Sequence, residues 1–397
     1  MCIRDRRYGD LIFLVAGEPS GDALGAKLMA ALQRASDSRV RFAGVGGERM
    51  AAAGLKSLFP LTDIAVMGLT EVLPRLPTIL RRLRLTADAV WDTAPAVVVT
   101  IDAPSFSLRV ADRVRATGIP VVHYVAPQLW AWRPGRARKL AGRVDRLLAL
   151  LPFEPEFFRK LGVDCTYVGH PVIEDAAQPL GAADGRALLN LPGDSQAVLV
   201  MPGSRAGLAG RMLPVFLEAA SRLAAQHPNL EILLPTVPGT EALVRAATAG
   251  WKVRHRVLAT LDERRAAFAA ASAALTISGT ATLELAVAGV PMVVGYRVNR
   301  ATEFLVRRMI EVPHVAMPNL ILGRLAVPEK LQDDCRPDTL AAELERQLIS
   351  PQPQRDALNE VCAQLGLEEM RTTGILPSDK AARVVLEAIG ARREPSA

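Results

Sequence analysis

The stretch Leu275–Glu284, LTISGTATLE, combines residue types that could hold a phosphorylated sugar nucleotide. It opens as an apolar strand-like run, breaks at Ser278-Gly279 and continues as a helix towards the stop signal Gly289. Free backbone N–H groups at such a turn can bind phosphate. Glu284 lies about one turn beyond Thr280 on the same helix face, where a carboxylate could accept hydrogen bonds from ribose hydroxyls. We interpret the stretch as a nucleoside-diphosphate site, although an ordinary capped strand–turn–helix has the same pattern.

A second turn of this kind follows the apolar run Ala197–Met201. It offers backbone N–H donors together with a guanidinium, a combination that clamps a diphosphate. We therefore predict that the two turns bind one nucleotide sugar between them. The predicted contacts are Gly203, Ser204, Arg205, Ser278, Gly279, Thr280, Thr282 and Glu284, with Asn319 completing the wall.

Asp102 stands directly after the apolar run Val97–Ile101. A carboxylate at the carboxyl end of a parallel strand points towards the ligand, so Asp102 is the best candidate for a general base. The alternatives are a helix cap and a member of a salt bridge. The loop that follows the first strand carries Glu18, Ser20 and Asp22, which we predict to bind the acceptor. Its glycine spacing does not fit the dinucleotide pattern, and Asp22 could instead cap a helix.

Two further stretches could contact a lipid or a sugar. The loop Ala126–Arg133 places Gln128, Trp130 and Arg133 where they suit a sugar face beside an anion, although its tryptophans could equally be anchored in the core. The stretch Met67–Arg84 mixes apolar residues with arginines, which is typical of a helix on an anionic membrane or of a surface helix with snorkelling arginines.

The bulk composition is that of a globular protein with an anionic partner. The chain has 397 residues, of which 50% are hydrophobic and 22% charged, and its formal net charge is +7. With only 5% aromatic residues and no stacking series, nucleic acid is not the expected partner. Four scattered cysteines form no CxxC pair, and neither a signal peptide nor a membrane-spanning run is apparent. We expect a cytoplasmic protein.

Continuous apolar strands alternate with helical stretches through most of the chain, which predicts parallel sheets covered on both faces. Strand-like runs include Leu11–Ala16, Arg41–Val45, Val97–Ile101, Val121–Val125, Leu147–Leu150, Ala197–Met201, Leu230–Leu234, Ala273–Ile277 and Met292–Tyr296. We predict an α/β fold with two doubly wound domains facing a cleft. Residues 1–8 form an irregular tail, 9–170 the acceptor- and lipid-binding domain, 171–340 the nucleotide-sugar domain, and 341–397 helices packing back across both.

The ordered set of turns resembles the lipid-A-disaccharide synthase family, bacterial glycosyltransferases of the GT-B fold with two Rossmann-like domains. The matching motifs, spread over nearly the whole chain, are AGEPSGD at Ala16–Asp22, MG-TEVL at Met67–Leu73, IDAP at Ile101–Pro104, APQLWAWR at Ala126–Arg133, LPFE at Leu151–Glu154, VGHP at Val168–Pro171, PGSR at Pro202–Arg205, SGTATLE at Ser278–Glu284, VGYR at Val294–Arg297, PNL at Pro318–Leu320 and VPE-LQ at Val327–Gln332.

The resemblance implies a reaction and assigns roles. Members transfer 2,3-diacylglucosamine from UDP to 2,3-diacylglucosamine 1-phosphate, forming a β-1,6 bond with inversion and releasing UDP, a step of lipid A (lipopolysaccharide) biosynthesis. The family's UDP site corresponds to Arg205 and Ser278–Glu284, and its essential aspartate to Asp102. No DxD motif is present, so we expect neither a metal ion nor a cofactor. Met67 and the basic residues after it would engage acyl chains at the inner face of the inner membrane, and the chain could pair as a homodimer.

The sequence departs from the family in two turns. Members usually read DAPDFN where this chain has Asp102–Ser107, and usually carry a glutamate shortly after GSR, where Leu208 stands here. Ser105 and Leu208 thus each replace a carboxylate, and Ser107 replaces an amide. Three alternatives stay open: another UDP-sugar transferase, such as one acting on a peptidoglycan lipid, a UDP-sugar epimerase, and a non-catalytic peripheral membrane protein.

Overall fold

A computed structural model describes residues 9–65, 69–132, 137–176, 180–298 and 312–393. The chain forms two compact units. The first extends to Pro171 and resumes at Glu369, and the second comprises Val172–Glu368. Met67 and Arg133, both predicted site residues, lie outside the described ranges.

The first unit is built on a parallel sheet whose central strands are apolar on both faces. Its strands are β1 (Asp10–Ala16), β2 (Val40–Val45), β3 (Val97–Ile101), β4 (Val121–Tyr124), β5 (Arg146–Ala149) and β6 (Cys165–Tyr167), in the order β2-β1-β3-β4-β5-β6. The order reverses between β1 and β3, and in doubly wound sheets ligands bind beyond the strand ends at such a reversal. The predicted strands in this half are confirmed, and β6 is an additional one.

Helices cover both faces of this sheet and enclose two apolar cores. They are α1 (Pro19–Ala35), α2 (Glu48–Ala52), α3 (Leu69–Thr93), α4 (Pro104–Val114), α5 (Leu129–Trp132), α6 (Arg138–Ala141), α7 (Glu154–Arg159), and, near the carboxyl end of the chain, α18 (Pro377–Arg393). The helices α1 and α18 share one core, where Leu28 and Leu32 lie with Val385 and Ile389.

The second unit repeats the architecture with a different strand order. Its strands are β7 (Gln196–Met201), β8 (Leu230–Pro235), β9 (His255–Leu258), β10 (Ala273–Thr276), β11 (Met292–Tyr296) and β12 (Glu329–Leu331). They form a parallel sheet in the order β12-β11-β10-β7-β8-β9. Here the order reverses between β7 and β10, so the turns after these two strands occupy the ligand position of the fold.

The helices of the second unit are α8 (Val172–Asp175), α9 (Ala182–Leu188), α10 (Ala206–Gln226), α11 (Glu241–Thr248), α12 (Leu261–Ala270), α13 (Ala281–Val287), α14 (Met317–Leu322), α15 (Pro337–Ile349) and α16 (Gln352–Gln364), followed by α17 (Leu367–Thr373), within which the chain passes back to the first unit. The segment 341–397, treated as one in the sequence analysis, is therefore divided between the units. Within the described ranges, no helix is both long enough and apolar enough to cross a bilayer.

Asp22 connects α1 to α2 from inside the first unit. Its carboxylate is only 5% exposed and accepts hydrogen bonds from the backbone N–H groups of Gly47 (2.7 Å), Arg49 (3.0 Å) and Met50 (3.0 Å). These are donors at the start of α2 that have no partner within that helix. Asp22 therefore caps a helix, as the alternative interpretation of the sequence stated. The capped helix is α2, however, and not α1, in which Asp22 lies.

We expect Asp22→Asn to destabilise the first unit, because an amide must turn its NH₂ group towards at least one of these N–H donors. The loss should be about 1–3 kcal/mol in the free energy of unfolding, measured by denaturant titration. Asp92→Asn on the exposed face of α3 is the matched control and should change stability by less than about 0.5 kcal/mol. Equal stability of the Asp22 and Asp92 variants would show that the cap does not matter.

Candidate functional site

In the first unit, the loops after β1 and β3 touch at the order reversal. Ala16 and Ile101 are register partners, so Gly17 and Asp102 leave the sheet side by side. A Cβ at Gly17 would lie 2.3 Å from the Cβ of Ala103, and one at Gly21 would lie 3.6 Å from the Cβ of Asp102. A side chain at Gly17 would therefore collide with Ala103, and one at Gly21 would be tight because its Cβ would also lie 3.2 Å from the carbonyl oxygen of Ile101. These close approaches explain glycines outside a dinucleotide pattern.

Asp102 occupies the turn between β3 and α4 in the left-handed region, with φ of +53°, as does Ala103 with φ of +45°. Its backbone N–H donates to the carbonyl of Tyr124 (2.9 Å). One carboxylate oxygen accepts from the N–H of Ala103 (2.8 Å), and the other accepts from the hydroxyl of Ser20 (2.9 Å). The carboxylate is partly exposed, so two predicted residues, Ser20 and Asp102, come together beside solvent.

The remaining predicted acceptor residues differ in what they offer. Glu18 is half-buried and immediately precedes α1, whereas Gln128 is exposed just beyond β4. The indole N–H of Trp130 donates to Glu154 (3.2 Å), and its ring meets Phe153 edge-on at 4.9 Å. Burial of Glu154 raises the pKa of its carboxyl to about 7. In the sequence, Glu154 appears only as the last residue of the LPFE motif. Its distance along the chain from Trp130 gives no sign that the two side chains are in contact.

His123 on β4 is fully buried. Its Nδ1 is 2.8 Å from the hydroxyl of Thr100. Burial lowers the pKa of the imidazole to about 4, so the ring is neutral at physiological pH.

In the second unit, the turns after β7 and β10 also touch. Met201 and Thr276 are register partners, and a Cβ at Gly203 would lie 2.5 Å from Cδ1 of Ile277. Gly203 also has φ of +115°, which side chains rarely allow. Ser204 and Arg205 are exposed directly beyond this contact, with Arg205 at the N-cap of α10. Their backbone and guanidinium donors therefore lie at the strand-order reversal.

The turn Ser278–Thr280 is fixed by its own side chains. The hydroxyl of Ser278 donates to the carbonyl of Val315 (2.5 Å), and that of Thr282 donates to the carbonyl of Gly279 (2.7 Å). Gly279 takes φ of +151°, and Thr280 is exposed. Because α13 has only seven residues, the turn's own N–H groups, and not a helix dipole, are what it offers to an anion.

Glu284 has a partner that the sequence analysis missed. Its carboxylate forms an ion pair with the guanidinium of Arg264 on α12, and both side chains are about one-third exposed, at 37% and 28%. Arg264 also lies over the ring of Phe268, 5.4 Å from its centroid. The carboxylate of Glu284 is therefore held by a neighbour and still partly exposed to solvent.

Asn319 is fully buried, and its amide is occupied by the protein. Its Nδ2 donates to the carbonyl of Val327 (2.8 Å) and to Glu329 (2.7 Å), while its Oδ1 accepts from Ala326 and Val327 (both 2.8 Å). Glu329 in turn accepts from the N–H of Val315, whose carbonyl receives the Ser278 hydroxyl. The described contacts of Asn319 therefore lead to the Ser278 turn through Glu329, and not to solvent.

Across the described residues, no group of three or more His, Cys, Asp or Glu side chains is placed to hold a metal ion.

Two Rossmann-like units, each with polar turns at its strand-order reversal, define a fold of the GT-B type. Solved structures with this fold include UDP-GlcNAc 2-epimerase from Neisseria meningitidis bound to UDP-GlcNAc (TM-score 0.65, 11% identity, covering 96% of this chain and 99% of that one). Another is the glycotransferase of kitacinnamycin (TM-score 0.64, 17% identity, covering 96% and 99%). At such identities the likeness concerns the fold alone.

Sequence relatives are far closer. The chain matches the family described as Lipid-A-disaccharide synthetase over residues 12–378. It is 48% identical to the lipid-A-disaccharide synthase of Rhodospirillum centenum over 390 residues, covering 96% of this chain and 95% of the relative. It is 44% identical to that of Gluconobacter oxydans over 384 residues, covering 96% and 91%. The chain belongs to the lipid-A-disaccharide synthase family of glycosyltransferases, which confirms the predicted resemblance and fold class.

We expect Asn319→Ala to destabilise the second unit by about 2–4 kcal/mol, because it leaves buried backbone and carboxylate groups without partners. Asn359→Ala on the exposed face of α16 is the matched control and should be neutral. Denaturant titration of both variants checks this. A stable Asn319 variant with weakened UDP binding would instead indicate a direct ligand contact.

Proposed function

We propose that this chain is an inverting glycosyltransferase that condenses UDP-2,3-diacylglucosamine with 2,3-diacylglucosamine 1-phosphate. The products are the β-1,6-linked lipid A disaccharide 1-phosphate and UDP. The observation that carries the proposal is the 48% identity to a lipid-A-disaccharide synthase over 390 residues. The polar turns at both strand-order reversals supply the chemistry that such a reaction needs.

The donor is assigned to the second unit. The diphosphate of UDP lies on the N–H groups of Gly203, Ser204 and Ser278–Thr280, with the Arg205 guanidinium beside it. As the bond from the sugar to UDP breaks, negative charge grows on the departing diphosphate, and fixed N–H donors and a guanidinium stabilise that charge. Glu284, oriented by Arg264, accepts hydrogen bonds from the ribose hydroxyls.

The acceptor is assigned to the first unit, with Asp102 as general base. Its carboxylate takes the proton from the acceptor's 6-hydroxyl, the oxygen attacks the anomeric carbon, and UDP leaves from the opposite face. Ser20 and Ala103 hold the carboxylate oxygens in place through their hydrogen bonds. Because attack and departure occur on opposite faces, the anomeric configuration inverts.

The acyl chains are assigned to the region of α3, at the cytoplasmic face of the inner membrane. Arg82 turns inward, where it pairs with Asp63 (2.7 Å) and covers the ring of Phe59. The exposed side includes Arg75, Leu76, Arg81, Arg84, Leu85 and Trp91. Basic and apolar groups together favour an anionic bilayer surface, and the net charge of +7 adds to that attraction.

The direct test is UDP release with the acylated donor, with and without the acylated acceptor. We expect UDP only when both are present, together with the disaccharide. Turnover of UDP-sugar without acceptor would indicate an epimerase. Binding to anionic vesicles without any UDP release would indicate a non-catalytic membrane protein.

Asp102→Asn should fold and bind UDP as the wild type does, but lose turnover by ~10²–10⁴-fold, the usual contribution of a positioned base. The amide keeps the shape of the side chain but cannot take a proton. Melting temperature, UDP affinity and turnover are measured on one preparation. Asp37→Asn, in the exposed turn after α1, is the control and should keep full turnover. Wild-type turnover in the Asp102 variant would move the role to Glu18.

Glu284→Gln should raise the Kd of UDP about 10-fold, because hydrogen bonds from ribose hydroxyls to a charged acceptor are lost. The free energy of unfolding should change by less than about 1 kcal/mol, since the Arg264 pair is partly exposed. Titration calorimetry measures the affinity. Glu218→Gln removes a comparable exposed ion pair, with Arg222 at 3.0 Å, and should leave the Kd unchanged. Unchanged UDP affinity in the Glu284 variant would contradict the assignment.

A further inference from the structure

The loop after β5 holds a buried carboxylate against the aromatic loop after β4. Glu154 begins α7, is only 2% exposed, and accepts three N–H donors. Leu150 and Leu151 donate from the backbone to one oxygen (3.1 and 2.9 Å), and the indole of Trp130 donates to the other (3.2 Å). Two of these donors belong to the loop that carries Glu154, and only the indole comes from another part of the chain.

This contact fixes the indole of Trp130 from two sides. The carboxylate holds its Nε1, and Phe153 stands edge-on to the ring with an interplanar angle of 89°. The ring is half-buried, so part of its surface remains accessible to solvent. An indole that is anchored at its N–H and partly exposed can present an apolar face to a sugar ring in one fixed orientation.

We propose that Glu154 is a positioning residue for the transfer reaction: its carboxylate fixes the indole of Trp130 and thereby the surface that holds the acceptor's sugar. The proposal rests on the proposed function, which places the acceptor at the first unit. Burying a carboxylate is costly, and a carboxylate that only joined two loops could be replaced by an apolar side chain at little loss. The need to orient a partly exposed indole explains why a carboxylate that accepts three N–H donors is buried at position 154.

The protonation state of Glu154 matters to the contact. All three neighbours are donors, so a protonated carboxyl must direct its O–H at one of them, and the longest of the three bonds is that from the indole. Burial is the main cause that raises the pKa of Glu154 to about 7, and the three N–H donors oppose it. The Trp130 contact should therefore weaken as the pH falls through about 7.

The other titratable groups near Glu154 come from β6, α7 and α17. Cys165 and Tyr167 on β6 both feel its charge, and burial together with that charge raises the pKa of Cys165 to about 12 and raises the pKa of Tyr167 as well. Arg159 acts on Cys165, and Glu369 acts on Tyr167. Thiol and phenol thus stay neutral across the range in which Glu154 titrates.

Lowering the pH should affect the stability of the fold and the Trp130–Glu154 contact in opposite directions. Because the folded state binds the Glu154 proton more tightly than the unfolded state, the residue's contribution to stability declines as the pH rises from about 4.5 to about 7. Lowering the pH over this range should thus stabilise the fold through Glu154 while releasing the indole of Trp130.

The test compares Glu154→Gln, Trp130→Phe and the double variant. We expect each single change to raise the KM for the acceptor about 10-fold, with kcat and the donor KM within about twofold of wild type, and the double variant to add little more. Glu156→Gln, two residues further along α7 on its exposed face and paired with Lys160 (2.6 Å), is the matched control and should behave as wild type.

Fluorescence supplies a readout that does not depend on the proposed function. The emission of the wild type minus that of Trp130→Phe reports Trp130 alone, and we expect this signal to titrate with a midpoint near pH 7. The same difference, taken between Glu154→Gln and the double variant, should show no such transition. An unchanged acceptor KM with a clear fluorescence transition would overturn the positioning role while leaving transferase activity intact. Additive KM effects, or a fluorescence difference that does not titrate, would equally overturn it. Absence of UDP release in the wild type would overturn the proposed function itself.

Discussion

The close approach of two strand-end turns is the constraint on which each unit of this protein depends. In a parallel sheet with one order reversal, the two strands at the reversal deliver their following loops to the same place. A side chain at Gly17 would collide with the Cβ of Ala103, and one at Gly203 would collide with the side chain of Ile277. The absence of that side chain lets the polar groups of neighbouring turns share one site.

The fold could be predicted because the strands that define it are apolar on both faces. Runs such as those of β1, β3, β7 and β10 are continuous in the sequence and are almost fully buried. The strands that escaped prediction, β6, β9 and β12, have three or four residues each and are half-buried at several positions. A short edge strand covered on one face has no distinctive period, so its pairing depends on a neighbour that lies far away in the chain.

The candidate site could be predicted only where a residue's position follows from strand order. Asp102 and Ser20 each follow a strand, and adjacent strands bring them to a 2.9 Å contact. The contact of Glu284 with Arg264 joins side chains of α12 and α13 that are 20 residues apart, and no local pattern encodes it. Asp22 and Asn319 read as ligand-binding residues in sequence because a polar residue beside a turn looks the same whether its partner is a ligand or a backbone amide.

The carboxylates discussed above fall into two groups, according to how many of their hydrogen-bond acceptor sites are already occupied by the protein. The carboxylates of Asp22, Glu154 and Glu329 are held by N–H donors of the protein and cost free energy unless those donors are present. Asp102 and Glu284 are partly exposed and each is oriented by a neighbour, so they retain lone pairs for a substrate. Binding or deprotonating a substrate hydroxyl needs a carboxylate with free lone pairs, such as Asp102 or Glu284. A fixed site geometry needs carboxylates that are fully bonded to the protein, such as Asp22. The carboxylates held by backbone and indole N–H donors keep the loops in place, and Asp102 and Glu284 can then meet an incoming hydroxyl without reorganisation.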